Sequence, residues 1–268
     1  MAKKVSQEKA KILANKKIGR NYFKLTLFSS KISALAEPGQ FVAIRISDGT
    51  IPLLRRPFGV HMVNGKAFDC LIETVGPATK ILSQKKPGED LDVIGPLGNG
   101  FSYQLSAISY QPIIVAGGMG VAPLFFLAEK IAEVKSQKSK VKILVLIGAK
   151  NKNQILCEKE FKKLGCDVKI ATDDGSKGFK GKVTDLLKHL LTAYSLQLTA
   201  IYACGPKPML EEIACVAKQY SIPAQISLEE HMSCGIGACL GCVVNTKDGF
   251  KRVCKEGPVF AAEEIVWD

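Results

Sequence analysis

The chain has 268 residues, 47% of them hydrophobic, which is enough material for two folded domains and a small extension. Its formal net charge is +12, but the excess comes mostly from lysines spread along the chain with few aromatic residues among them. This pattern favours a solvated surface over a nucleic-acid site. The sequence shows no signal peptide and no apolar stretch long enough to cross a membrane, so we expect a cytoplasmic protein with reduced thiols.

Residues 1–104 consist of short segments in which apolar and polar residues alternate, separated by turns that contain proline and glycine. Residues 23–27, 41–44 and 91–94 are examples. Such segments are typical of antiparallel strands. The sequence therefore predicts an antiparallel β-barrel over residues 1–104.

Two motifs in this first part can contact a dinucleotide. In the segment 54–59, an arginine of the pair Arg55 and Arg56 can clamp a pyrophosphate, and Pro57 can stiffen the backbone beside a flat ring system. A surface turn with two arginines would show the same pattern.

From Gly76 to Thr79 an apolar strand leads into a helix, whose unpaired N–H groups can bind a phosphate, with the Thr79 hydroxyl as a further donor. An ordinary capped helix is the alternative at this second motif.

From residue 105 to residue 226 the pattern changes. Apolar segments at 113–116, 143–147, 168–171 and 200–203 alternate with amphipathic stretches of helix length. This alternation predicts an α/β domain with a parallel sheet, the type of domain that binds nucleotides.

Three glycines follow the first strand of this α/β part and open a helix: Gly117, Gly118 and Gly120. Small residues between a strand and a helix let a dinucleotide pyrophosphate approach the helix N-terminus. The spacing differs from the G-x-G-x-x-G fingerprint, and a tight turn without a ligand is the alternative.

Another strand–helix boundary carries Cys204, Gly205 and Pro206. Ligands of parallel sheets bind at this edge, so the Cys204 thiol can face a nicotinamide, or it can be a small buried residue. No general acid or base is predicted, because none of the three histidines has a recognisable partner in the sequence.

Four cysteines lie in the C-terminal segment 227–268: Cys234, Cys239, Cys242 and Cys254. The first three have the C-x4-C-x2-C spacing of a plant-type [2Fe–2S] loop, and Cys254 can complete the site. The glycines among them allow tight turns that direct N–H groups towards sulfur. A structural zinc site is the alternative, but only Cys239 and Cys242 form the C-x2-C pair that zinc prefers, so an iron–sulfur cluster is favoured.

Together these features resemble the electron-transfer subunit of heterodimeric dihydroorotate dehydrogenase, within the ferredoxin–NADP reductase superfamily. The resemblance covers nearly the whole chain. Its most specific segments are PLLRRP (52–57), GPLGNGF (95–101), SLEE (227–230), CGIGAC (234–239), VC (253–254) and GPVF (257–260).

The resemblance implies an FAD-binding barrel (1–104), an NAD-binding α/β domain (105–226) and a [2Fe–2S] segment (227–268) held by the four cysteines. It also implies a set of residues that contact FAD: Arg56, Pro57, Phe58, Gly59, Ile72, Glu73, Thr74, Ala78 and Thr79.

Three departures from the family pattern concern the flavin. Gly59 replaces the usual serine, so we expect an altered flavin potential or reactivity. Ala78 replaces a glycine and is expected to place a methyl group against the phosphates. Ile72 and Glu73 replace an aromatic and a basic residue.

The implied function is electron transfer between NAD(H), FAD, the [2Fe–2S] cluster and a partner subunit that carries FMN and interconverts dihydroorotate and orotate. A heterotetramer with two copies of each subunit is expected, with no nucleic-acid or membrane partner. The residues do not decide whether the chain uses NADH or NADPH, and the resemblance favours NADH. One alternative is the NAD(P)H-handling subunit of a sulfide dehydrogenase, a hydrogenase or a bifurcating ferredoxin:NADP oxidoreductase. Another is a non-catalytic metal-binding module with a basic nucleic-acid surface.

Overall fold

The computed structural model describes residues 4–103, 111–135, 143–193 and 198–267. The chain divides into two compact units. The first unit runs up to Gly100 and also contains Glu230–Val244 and Phe250–Pro258, and the second contains Phe101–Glu229, Asn245–Gly249 and Val259–Asp268. Residues of the C-terminal segment 227–268 occur in both units.

The first unit is built on a seven-stranded sheet in which every neighbouring pair of strands is antiparallel. Its strand order is β4-β3-β7-β1-β2-β6-β5. The helices and strands are β1 (Ser6–Lys17), β2 (Tyr22–Phe28), α1 (Ser30–Leu35), β3 (Phe41–Ile44), β4 (Arg56–Gly59), β5 (Met62–Asn64), β6 (Ala67–Glu73), α2 (Pro77–Gln84) and β7 (Asp90–Leu97).

The alternating pattern read from the sequence corresponds to the core of this sheet. In β2, the side chains of Phe23, Leu25 and Leu27 are buried, and the residues between them are half-buried. This two-residue period is what a strand with one face on the core requires. The predicted antiparallel architecture of the first domain is confirmed.

An ion pair joins the segment before β4 to strand β7. Arg55 donates from Nη2 to Oδ2 of Asp92 at 2.6 Å and from Nη1 to the Asp92 carbonyl at 2.9 Å. Partial burial raises the pKa of Asp92, but the bonds from Arg55 and Gln7 outweigh it and hold the pKa below its ordinary value. Arg55 is thus committed to the fold, and Arg56 is the arginine that remains for a ligand.

We expect Asp92→Asn to lower the free energy of unfolding by about 1–2 kcal/mol at neutral pH, because Arg55 loses a charged acceptor. A depressed native pKa stabilises the fold above the unfolded-state pKa, and this contribution is lost as the pH falls through the native pKa. The difference between wild type and variant should therefore be full at neutral pH and shrink as the pH falls below about 3.9, the ordinary pKa of an aspartate. Urea denaturation over this pH range measures the difference. A difference that does not change with pH contradicts this account of Asp92.

The second unit contains a seven-stranded sheet of order β11-β10-β9-β8-β12-β13-β16, parallel except for the pair β13–β16. A separate two-stranded hairpin, β14–β15, belongs to the C-terminal segment. The helices and strands from residue 111 onward are β8 (Gln111–Gly117), α3 (Val121–Lys135), β9 (Leu144–Ala149), α4 (Glu158–Lys163), β10 (Asp167–Thr172), β11 (Phe179–Lys180), α5 (Val183–Ala193), β12 (Leu198–Cys204), α6 (Lys207–Gln219), β13 (Ala224–Ser227), β14 (Val243–Thr246), β15 (Gly249–Arg252) and β16 (Val259–Ala261).

The centre of the parallel sheet is β8, in which Ile113, Ile114, Val115 and Ala116 are fully buried. A continuous apolar run is expected of a parallel strand covered by helices on both faces. The chain passes from β8 to β9 on one side and returns to β12 on the other, so the order of strands reverses beside β8. Ligands of doubly wound sheets bind at the carboxyl ends of the strands at such a point.

No helix in the described parts of the chain combines the length and apolar character needed to span a membrane.

Candidate iron–sulfur and nucleotide sites

The cluster loop, residues 234–242, has a tightly turned backbone. Gly235 and Gly237 have φ angles of +70° and +85°, in the left-handed region that favours glycine. Leu240 has a φ of +56°, and its side chain is 61% exposed. A bulky residue held in this region costs conformational energy and is most often found at functional sites.

The four cysteine side chains form two pairs. Cys239 lies close enough to Cys234, and Cys242 close enough to Cys254, for the sulfurs of each pair to interact. Backbone N–H groups also point at sulfur, from Ala238 to Cys234 at 3.3 Å and from Cys254 to Cys242 at 3.4 Å. The two pairs are neighbours, because Cys234 also contributes to raising the pKa of Cys254.

This arrangement fits a [2Fe–2S] cluster, which takes two thiolates on each of its two irons. Among the described residues no three His, Cys, Asp or Glu side chains converge on a position for a single metal ion. A cluster does not need such convergence, because its four ligands are spread over two irons. The N–H donors supply the hydrogen bonds to sulfur that adjust a cluster's potential.

The thiols of Cys234 and Cys254 have different acidities. Partial burial raises the pKa of Cys234, but N–H donors from Ile236, Cys239 and Ala238, with the Cys239 thiol, outweigh it and lower the pKa to about 6. Burial and the neighbouring Cys242 raise the pKa of Cys254 to about 12. Metal ligation requires thiolates. Cys234 is thus ready to ionise, and Cys254 needs a bound cation to offset its burial and the neighbouring sulfur.

The cluster segment is attached to the sheet of the first unit through two of the segments that carry the family resemblance. Asn99 donates from Nδ2 to the Glu256 carbonyl at 2.7 Å and from its backbone N–H to the Gly257 carbonyl at 2.6 Å. A Cβ at Gly98 would lie 2.6 Å from Cδ of Pro258, so only glycine fits there. In the cluster loop, a Cβ at Gly235 would lie 3.6 Å from the Ala43 side chain of β3.

An ion pair beside the ligands was not recognised in the sequence. The carboxylate of Glu256 accepts hydrogen bonds from the backbone N–H, Nε and Nη2 of Arg252. These bonds, the side-chain ones first, lower the pKa of Glu256 to about 2. The remaining Nη1 of Arg252 donates to the Gly237 carbonyl in the cluster loop at 2.6 Å. The signal that could have found this pair is the four-residue spacing of opposite charges around Cys254.

The predicted flavin residues of β4 are accessible. Arg56, Pro57, Phe58 and Gly59 are each half-buried and pair with β3. The guanidinium of Arg56 donates from Nη1 to the carbonyls of Leu54 and Arg55, which leaves further donors for a phosphate. The groups on β4 therefore fit an anionic dinucleotide.

Two of the other predicted flavin contacts differ from expectation. Ile72 is only 2% exposed, because this position of β6 faces the core, so it can offer a ligand its backbone but not its side chain. Ala78 is 6% exposed, which means that its methyl group packs into the protein instead of pointing at a phosphate as expected. Glu73 and Thr74 are half-buried at the end of β6, where Glu73 interacts with the Tyr22 hydroxyl.

The hydroxyl of Thr79 serves the helix cap. It accepts hydrogen bonds from the N–H groups of Val75 and Gly76 at 3.0 and 3.1 Å and donates to the Gly76 carbonyl. The expected hydroxyl donor to a phosphate is therefore already used. The backbone N–H groups at the start of α2, which have no partner within the helix, are what this site can offer.

The glycines after β8 pack against the loop that follows β12. Ala116 and Cys204 are neighbours in the sheet. A Cβ at Gly120 would lie 2.0 Å from the Cys204 carbonyl oxygen, and one at Gly117 would lie 2.6 Å from Sδ of Met209. Both residues are therefore glycine because of protein packing. Gly118, with a φ of +54° and no atom within 4 Å of its Cβ position, is the one open to a ligand.

The thiol of Cys204 does not face an open site, since the residue is 1% exposed. Burial raises its pKa, the negative charge of Glu229 raises it further, and a hydrogen bond with Ser227 acts in the opposite direction. Gly205 packs against Gly117. Ser227 and Glu229 thus join Cys204 at the carboxyl ends of β12 and β13, a grouping that no pattern in the sequence indicated.

Comparisons with known proteins agree with this geometry. The family model described as the iron-sulfur cluster binding domain of dihydroorotate dehydrogenase B matches residues 229–266, and an oxidoreductase NAD-binding domain matches residues 114–215. A structure of an NADH-dependent reduced ferredoxin–NADP oxidoreductase superposes with a TM-score of 0.83 and 30% identity, covering 96% of this chain and 90% of that one.

Two curated relatives are named dihydroorotate dehydrogenase B (NAD(+)), electron transfer subunit. The one from Desulforamulus reducens is 41% identical over 97% of this chain and 98% of its own length. The one from Bacillus caldolyticus is 38% identical over 98% and 99%. The predicted fold class, resemblance and oxidoreductase function are thereby confirmed, and the alternatives are not favoured. Identity at this level over the full length, with four cysteines grouped for a cluster, means that the chain belongs to the family of dihydroorotate dehydrogenase B electron transfer subunits.

Proposed function

We propose that this chain carries electrons between NAD(H), an FAD, a [2Fe–2S] cluster and an FMN-containing catalytic subunit that interconverts dihydroorotate and orotate in pyrimidine synthesis. The observation that carries the proposal is the grouping of Cys234, Cys239, Cys242 and Cys254 in two sulfur pairs beside the sheet of the first unit. The names of the relatives supply the reaction and the partner. A cytoplasmic heterotetramer with two copies of each subunit is part of the proposal.

The cofactors supply the redox chemistry when bound: the flavin exchanges two electrons with NAD(H), and the cluster carries one electron at a time. The protein supplies ligands, orientation and protection from water. Cys234 and Cys239 would bind one iron and Cys242 and Cys254 the other, with N–H groups of the loop stabilising charge on sulfur.

The cluster loop also provides the exit for electrons. Ile236 and Leu240, which flank Cys239 in the loop, are 52% and 61% exposed. Exposed apolar side chains around a redox centre are suited to a partner protein, because docking removes them from water and shortens the transfer distance.

The first unit would hold FAD through β4 and the start of α2. Arg56 offers a charged fork to the pyrophosphate, and the N–H groups of Ala78 and Thr79 form a second phosphate contact. Pro57, Phe58, Gly59, Glu73 and Thr74 are accessible neighbours of the ring system or its linker.

We expect Arg56→Ala to weaken FAD binding about tenfold to a hundredfold, because one charged hydrogen-bond donor to the pyrophosphate is worth about 1.5–3 kcal/mol. Flavin released on dilution, followed by fluorescence, measures the loss. The control is Arg20→Ala, which removes an exposed arginine in the turn between β1 and β2. Equal FAD affinity in the Arg56 variant and the wild type would remove Arg56 from the flavin site.

The nucleotide would bind in the second unit at the carboxyl ends of β8 and β12. Gly118 offers open backbone for the pyrophosphate, and Cys204, Gly205 and Pro206 form the neighbouring loop that Gly117 and Gly120 pack against. NADH is the proposed form, since the relatives are named for NAD(+).

The proposal is tested by purifying the chain from its native source under anaerobic conditions and identifying what accompanies it. An FMN-containing partner, one FAD and one [2Fe–2S] cluster per chain, and either oxidation of dihydroorotate by NAD+ or reduction of orotate by NADH are the expected result. A larger iron–sulfur flavoprotein as the partner would instead support a ferredoxin–NADP oxidoreductase assembly, the activity of the 30% identical solved structure. Zinc without flavin would overturn both.

A further inference from the structure

We propose that the Arg252–Glu256 ion pair positions the cluster loop and sets the reduction potential of the cluster through the opposed charges it holds there. The inference rests on the proposed [2Fe–2S] site. It concerns two residues to which neither the cysteine motif nor the nucleotide sites assign a role. Their contacts form a continuous connection from the sheet of the first unit to the loop that carries the ligands.

The connection begins at Asn99, whose side chain binds the Glu256 carbonyl at 2.7 Å. The Glu256 carboxylate accepts from the backbone N–H of Arg252 at 2.8 Å and from Nε at 2.9 Å, with a further bond from Nη2. These contacts orient the planar guanidinium completely. Its Nη1 then donates to the Gly237 carbonyl at 2.6 Å. Gly237 lies between Cys234 and Cys239 in the chain.

The contact with Arg252 is made at a turn of the loop. Gly237 is buried and has a φ of +85°. A buried carbonyl needs a hydrogen-bond partner, and Nη1 of Arg252 supplies one. Arg252 therefore supports the turn at Gly237, between the first two ligands.

The charges of the pair are placed to act on the cluster. Arg252 is two residues from Cys254, and its guanidinium reaches the cluster loop at the Gly237 carbonyl, between Cys234 and Cys239 in the chain. A cation held this close to the ligands stabilises negative charge on the sulfurs. A cluster gains one negative charge on reduction, which means that Arg252 favours the reduced state and Glu256 opposes it.

Redox titration of the anaerobically purified chain, followed by the EPR signal of the reduced cluster, tests this inference. We expect Arg252→Met to make the potential more negative and Glu256→Gln to make it more positive. Each shift should change the ratio of reduced to oxidised cluster at fixed potential by several-fold to about tenfold, where tenfold corresponds to about 59 mV for one electron.

Arg252→Lys separates charge from geometry. Lysine keeps the cation but cannot bind Glu256 and Gly237 together, so the potential should stay closer to wild type than that of Arg252→Met while iron content falls. If Arg252→Met holds no cluster, Arg252→Lys and Glu256→Gln still decide, since only the latter should raise the potential. The matched control is Glu89→Gln, which breaks the Lys85–Glu89 pair and should leave the potential unchanged.

The outcomes distinguish this inference from the proposed function. A wild-type chain without an EPR signal from a reduced cluster overturns the proposed function itself. Three other outcomes overturn only the assignment of the potential to this pair. They are a wild-type cluster whose potential is the same in every variant, shifts of one sign in both Arg252→Met and Glu256→Gln, and loss of the cluster from all three variants.

Discussion

Replacing Cys254 by alanine is expected to remove most of the iron from the chain while leaving FAD bound and reducible by NADH. Cys254 is 2% exposed, and its thiol is paired with that of Cys242, so alanine leaves one iron with a single protein ligand. Electron delivery to the partner subunit should fall by ~100-fold or more, beyond the loss typical when a residue outside the ligand set is mutated. Iron and sulfide analysis, EPR and flavin bleaching by NADH measure the three properties separately.

The control for this prediction is Cys215→Ala. Cys215 is exposed on α6 in the second unit, outside the cluster segment, and its loss should change none of the three measurements. Full iron content in Cys254→Ala would show that the four cysteines do not form one cluster site. Loss of flavin together with iron would show that the first unit needs the cluster to fold, since the cluster segment is bonded to it through Asn99.

The second large effect is expected at Gly120. A methyl group there would lie 2.0 Å from the Cys204 carbonyl oxygen, which is shorter than any real contact, so Gly120→Ala must displace the loop 204–206. Overpacking of this kind costs about 1–3 kcal/mol of stability. A displacement of about 1 Å in a nucleotide site is enough to lower kcat/KM for NADH by ~100-fold. Stopped-flow reduction of the flavin by NADH measures the effect, and reduction by dithionite should be unchanged.

Two further glycine variants make the result specific. Gly49→Ala adds a methyl group with no close contact apart from the nearby Ser47 hydroxyl at 4.0 Å, and its kinetics should match wild type. Gly118→Ala meets no protein atom but must adopt a φ of +54°, at a cost of about 1–2 kcal/mol. If NADH approaches Gly118, this variant should lose affinity for NADH. An unchanged KM in both Gly118→Ala and Gly120→Ala would place the nucleotide elsewhere.

Local spacing carried much of the information about this protein. The C-x4-C-x2-C run and Cys254 indicated a cluster, because ligand spacing is set by how tightly a backbone can wrap around the metal. The two-residue and helical periods separated an antiparallel sheet from a parallel one, because each period reflects which side chains reach the core. These properties depend on residues close together in the chain, so they could be predicted.

Only the tertiary structure shows which distant segments of the chain contact each other. Burial of Ile72 and Ala78, use of the Thr79 hydroxyl in a cap, and packing of Gly120 on Cys204 all depend on what the fold places beside each residue. The contact of Arg252 with the Gly237 carbonyl is another example, because the two residues are 15 positions apart in the chain. Sequence alone determined which chemical groups this protein has and their local spacing, whereas folding determined which of them remain available to a ligand, since each buried donor, acceptor or methyl group is used by its neighbours first.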